Sequence, residues 1–171
     1  MTYTTRQHRN AHGFTLIELL IVVAIIAIIA SVVFVALDPL TRFQDTRDAS
    51  RWHDVTELAH AIVLDQVDNG GHYLSAIEAM TTGTVYMIGT CAGGATSSPS
   101  FICDTAPGIS ACVNLNGLVT EGYIAEVPLS PNGSGSWFAS ATGYTLQTTT
   151  TGAITLRACE SENTTEIFLA R

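Results

Sequence analysis

Residues 14–37 read FTLIELLIVVAIIAIIASVVFVAL, twenty-four positions in which Glu18 carries the only charge. At 1.5 Å per residue, about twenty apolar positions cross a hydrocarbon core of roughly 30 Å, so the stretch is long enough to span a bilayer as one helix. An ordinary secretory signal has an apolar part of about 7–15 residues followed by a small-x-small cleavage site. No such site follows here: the nearest approximation, Val22-Val23-Ala24, would cut inside the run, which ends at Asp38-Pro39. A plain membrane anchor leaves Glu18 unexplained, because a carboxylate inside an inserted helix costs about 2.5–3.5 kcal/mol and marks a partner or a function. Glu18 lies four residues after Phe14. Were the chain to begin at Phe14, its new α-amino group would lie one helical turn from that carboxylate, and the amine of a like subunit could reach the same oxygens from outside.

Upstream, residues 1–13 hold Arg6 and Arg9 and no Asp or Glu. The run Gly13-Phe14-Thr15-Leu16-Ile17-Glu18-Leu19-Leu20, with a basic leader before it and an unbroken apolar stretch after it, resembles the type IV prepilin processing motif. The resemblance implies cleavage by a prepilin peptidase between Gly13 and Phe14 and methylation of the new Phe14 amine. It also implies that Glu18 pairs with a neighbour's N-terminal amine during assembly. Two departures accompany it. Pro39 would be residue 26 of the processed chain, one turn later than the proline of many pilins, and Ala27 stands where a glycine often precedes that proline. Pro39 disfavours helical geometry at Asp38, which predicts a kink near 35–39, and the same residue is also suited to the first turn of a second helix.

Beyond Pro39 the pattern turns amphipathic. Phe43, Trp52, Val55, Leu58, Ala59, Ile62, Val63 and Val67 recur at three- and four-residue steps, while Asp45, Arg47, Asp48, Arg51, Asp54, Glu57, Asp65 and Asp68 take mainly the other positions. This predicts a helix with one face on a core, stopped by Asn69-Gly70-Gly71. Residues 84–88 read as a short strand, 119–127 as a short helix or strand, and 137–148, 152–159 and 165–170 as a three-stranded meander. Such a sheet needs a cover, and the amphipathic helix supplies one.

The expected fold class is therefore α+β: a long N-terminal helix packed on a small antiparallel sheet, pilin-like. The divisions are a cleaved leader at 1–13, a transmembrane or filament-core helix at 14–38, its amphipathic continuation at 39–70, a variable region at 71–127 and an antiparallel sheet region at 128–171. Gly122, Tyr123 and Pro128, ahead of the loop Ser130-Pro131-Asn132-Gly133, resemble the head of pilins and major pseudopilins. In the latter that loop supplies acidic calcium ligands. Residues 129–140 contain no Asp or Glu, which leaves a calcium site without its carboxylates and favours a true pilin over a pseudopilin.

Composition bounds the rest. Once the leader is removed, five arginines face fifteen carboxylates with no lysine present, a formal charge of −10 that disfavours polyphosphate, so no nucleic-acid partner is expected. Cys91, Cys103, Cys112 and Cys159 all follow the apolar block. An even count on the exported side points to two disulfides, and no C-x-x-C pair suggests zinc; three pairings remain open. His53, Glu57 and His60 are read as a solvated helix flank because the seven-residue His spacing is not the four-residue step of a zinc helix. His72 is read as a loop residue, and His8 and His12 belong to the leader. Asn132-Gly133-Ser134 and Asn163-Thr164-Thr165 fit a glycosylation pattern but read first as turns. Trp137, Phe138 and Tyr144 read as sheet-face packing. No nucleophile elbow or phosphate loop is present, so catalytic, cofactor and metal residues are all expected to be none.

The resemblance therefore implies a non-enzymatic filament subunit. Its partners would be copies of itself, a prepilin peptidase, the inner-membrane pilus or secretion machinery, and lipid before assembly. The precursor would sit in the inner membrane and end in an extracellular pilus or a periplasmic pseudopilus. A pseudopilin or minor pilin and a membrane-anchored extracytoplasmic enzyme are the alternatives.

Overall fold

A computed structural model describes residues 13–91, 103, 109, 111–133 and 135–171. It divides into two compact units, one through Pro39 and one from Leu40 to Arg171. In the first, α1 (Leu16–Leu37) is apolar on every side and buries no residue. Its C-cap Asp38 takes the left-handed conformation, φ 35°. The cause is local: the ring of Pro39 crowds Asp38 out of the right-handed helical region, and Asp is among the few non-glycine residues that tolerate the left-handed one. Pro39 then opens α2 (Pro39–Asp68), at a position where its missing donor would have gone unpaired anyway.

The second unit holds the rest of α2, α3 (Ser75–Glu78), β1 (Val85–Ile88), β2 (Ala111–Val113), α4 (Asn116–Thr120), β3 (Tyr144–Thr148), β4 (Ile154–Ala158) and β5 (Phe168–Ala170). The sheet order is β2-β1-β3-β4-β5. β1 pairs with β2 in parallel, and the other pairings are antiparallel. Val55, Leu58, Ala59 and Ile62 of α2 pack with Ile88, Val113, Leu115, Leu118, Leu146, Leu156 and Ile167 in one core. Strand β4 alternates as a half-covered strand should, with Ile154, Leu156 and Ala158 inward and Thr155 and Arg157 less buried. Each of the large aliphatic side chains sealed here contributes about 1.5–3 kcal/mol relative to exposure.

The expected antiparallel meander is present as β3-β4-β5, and the expectation is corrected around it in three respects. The sheet is mixed and five-stranded, because β1 and β2 from the 71–127 region join it. A parallel pair needs a long crossover, and residues 89–110 supply one. Residues 137–143 do not extend β3: Phe138 and Ala141 form only an isolated bridge, and Gly143, at φ 82°, has no room for a Cβ against Trp137 and Ser130. Residues 121–127 form no strand, since Gly122 terminates α4 in the left-handed region.

Helix α2 also departs from its predicted faces. Phe43, Trp52 and Val67, assigned inward, are exposed, whereas Asp48, Arg51 and Asp65, assigned outward, are buried. Of the expected sheet-face aromatics, Trp137 and Tyr144 are buried but Phe138 is half-exposed. The disulfides are Cys91–Cys112 and Cys103–Cys159.

Candidate processing and assembly site

Gly13, Phe14 and Thr15 precede α1 and are fully open to solvent, Phe14 at 85% exposure. Thr15 is the N-cap, extended at φ −82° and ψ 149°. Its hydroxyl accepts from the Glu18 amide at 3.3 Å, and the Glu18 carboxylate accepts from the Thr15 amide at 3.3 Å and from the Thr15 hydroxyl at 3.1 Å. This is a complete capping box. It closes two orphan donors of the first turn and holds a carboxylate against the positive end of the helix dipole, worth about 0.3–1 kcal/mol. Thr15 was not singled out from the sequence, although Thr-x-x-Glu ahead of an apolar run is the signature of this arrangement. A Cβ at Gly13 would meet nothing within 4 Å, so nothing in the described fold requires a glycine there.

The other predicted positions lie apart from this end of the chain. Pro39 begins α2, and the four cysteines belong to the second unit. His53 lies 3.8 Å from Glu57 on an exposed flank, and His72 lies 3.1 Å from Glu78. Asn163 spends both amide donors, on the Thr41 carbonyl at 3.1 Å and on Asp45 at 2.8 Å. The Asn132 side-chain oxygen accepts from the Trp137 amide at 2.9 Å.

The densest polar constellation was missed in the sequence because its members are scattered along the chain. Arg51 is fully buried, and all five of its N–H groups are used. Nη1 donates to Asp48 at 2.8 Å and Glu162 at 3.0 Å, Nη2 to Glu160 and the Pro131 carbonyl, each at 3.0 Å, and Nε to the Ser130 hydroxyl at 3.2 Å. Arg47 grips Glu162 from outside, with Nε 2.7 Å from Oε1. Asp48 also accepts the backbone N–H groups of Glu162, Asn163 and Thr164. Burial alone would raise the Asp48 carboxyl, but those three N–H donors outweigh it and hold the group below its ordinary value. Arg47, with Arg51 behind it, holds Glu162 low as well. The cluster thus fastens α2 to the 130–133 loop and the β4–β5 connection. Nearby, Tyr144 donates to Asp54, whose carboxyl is raised by burial despite that bond.

Residues 8–34 match the model of the prokaryotic N-terminal methylation motif. No curated protein and no solved structure matches the chain significantly. Together with a membrane-compatible helix that starts two residues after an open Gly-Phe bond, the matched motif, the hallmark of type IV pilin and pseudopilin prepilins, supports a type IV pilin-like or pseudopilin precursor.

Proposed function

We propose that the chain is the major structural subunit of a type IV pilus-like extracellular filament. Prepilin peptidase cuts the exposed Gly13–Phe14 bond, the Phe14 amine is methylated, and inner-membrane machinery moves α1 from lipid into a bundle of like helices. The observation that carries this reading is α1 itself: 22 residues, about 33 Å, apolar all round and with no residue buried. Such a helix needs an apolar surrounding that its own fold does not provide. Gly13 supports the peptidase step, since a glycine that the fold does not need is explained by an external active site that must approach the backbone closely.

Glu18 supplies the register. In the precursor its carboxylate is occupied by its own capping box, and cleavage adds a cationic amine one turn away that a neighbouring copy can also present. The absence of Asp and Glu from residues 129–140 supports a pilin over a calcium-dependent pseudopilin. Glu18→Ala tests the assembly step: the variant is expected to insert and be processed but to give few sheared filaments. Wild-type filament yield would remove the proposed pairing. The same fractionation separates the alternatives, because a pseudopilin stays periplasmic and a minor pilin is a scarce component of the fibre.

A further inference from the structure

The loop that resembles the calcium loop of major pseudopilins has no carboxylate of its own, yet hard oxygens converge on it from elsewhere. Asp48 comes from α2, Glu160 and Glu162 come from the β4–β5 connection, and the loop adds the Ser130 hydroxyl and the Pro131 carbonyl. Three carboxylates, a carbonyl and a hydroxyl form a donor set suited to calcium. They do not fit an added ion here, because one oxygen from each is already bound to a single guanidinium. The loop closes over that group so tightly that a Cβ at Gly133 would lie 2.8 Å from Glu162, 3.0 Å from Arg51 and 3.1 Å from Glu160.

We propose that Arg51 is the resident cation of this site. Its guanidinium occupies the oxygen cage between the 130–133 loop and the 159–164 segment, and so makes the folding of the head independent of divalent metal. The assignment follows from charge and geometry. With no cation among them, two buried carboxylates, Asp48 and Glu160, and the partly exposed Glu162 beside them would repel one another in a medium that screens poorly. Arg51 gives each of the three one directed bond, spends its other two donors on Ser130 and Pro131, and remains charged at any pH the protein meets. The occupancy of a calcium ion in such a cage would depend on its concentration outside the cell. A covalently attached cation has no such dependence. The inference concerns the head alone and holds for a pilus and a pseudopilus subunit alike.

The test is thermal unfolding of the processed full chain in detergent, with calcium and with a chelator, for the wild type and for Arg51→Ala. The wild type is expected to melt at one temperature in both buffers; a midpoint that falls under chelation would overturn the proposal. Arg51→Ala, which removes the guanidinium from buried Asp48 and Glu160 and leaves Glu162 to Arg47 alone, is expected to melt roughly 10 °C lower in chelator and to recover part of that loss in calcium. An Arg51→Ala chain that behaves alike in both buffers, folded or not, would show that these oxygens do not form a cation cage and would overturn it too. Adding Glu160→Gln to Arg51→Ala is expected to weaken the calcium response. An undiminished response would place the ion elsewhere and count against the assignment.

Discussion

Helices α1 and α2 follow one another in the chain and treat charge in opposite ways. α1 admits a single ionisable residue, in its first turn, and leaves every side chain exposed. α2 carries charge throughout and seals Asp48, Arg51 and Asp65 almost completely. The difference lies in where the partners are. Acceptors for Arg51 arrive from 79 to 111 residues away within the same fold, so its charge can be buried at tolerable cost. No residue of α1 is buried among the described residues, and on so apolar a helix a charge is expected only where it has a partner or a function.

The comparison breaks most readily at Arg51. Arg51→Leu is expected to cost about 3–5 kcal/mol, because buried Asp48 and Glu160 lose their guanidinium while Glu162 keeps only Arg47; denaturant unfolding in detergent measures it. The next contrast pairs two isoleucines. Ile62→Ala in the head core is expected to cost about 2–5 kcal/mol, whereas Ile26→Ala, at an exposed position of α1, is expected to leave head unfolding unchanged and to show only in filament strength.

Acid sharpens the comparison from the electrostatic side. Asp48 and Glu162 titrate below their ordinary values of 3.8 and 4.5, so folding favours their ionised forms. Their contribution is complete above about pH 4.5 and is lost as the pH falls through their lower folded-state values. Asp54 and Glu121 titrate above their ordinary values, Asp54 through burial and Glu121 through desolvation and the neighbouring Asp65, and work in the opposite sense, regaining stability as they protonate. Asp48 and Glu162 are tied into the Arg51 cluster whereas Glu121 lies exposed, so the unfolding midpoint is expected to drop below about pH 4.5 and Asp48→Asn to flatten that drop. The smallest effect is at the other end: Thr15→Ala removes the N-cap and is expected to cost the first turn of α1 about 1 kcal/mol, seen as faster amide exchange at residues 16–18 with no change in head melting.

Much of this was legible from local pattern. The apolar run gives α1, the three- and four-residue steps give the Val55, Leu58, Ala59 and Ile62 stripe, and Asn69-Gly70-Gly71 marks the end of α2. What the pattern missed is non-local. β2 is three residues long and pairs in parallel with β1, a pairing that no hairpin signal announces. Arg51 read as a solvent residue because its acceptors lie at 130–131 and 160–162, out of reach of any periodicity along α2. Residues 129–140 contain no acids, yet carboxylates reach the loop from other segments, which its own sequence does not announce. Phe43 and Trp52 have the spacing of a core stripe, yet the core covers neither side chain.

The account rests on a cut at Gly13 that frees a charged end beside Glu18. The most direct test is intact mass measurement of protein sheared from cells. A mass corresponding to residues 14–171 plus one methyl group and minus four hydrogens, for the two disulfides, is the predicted result. A surface or membrane-bound chain that still carries residues 1–13 would contradict it.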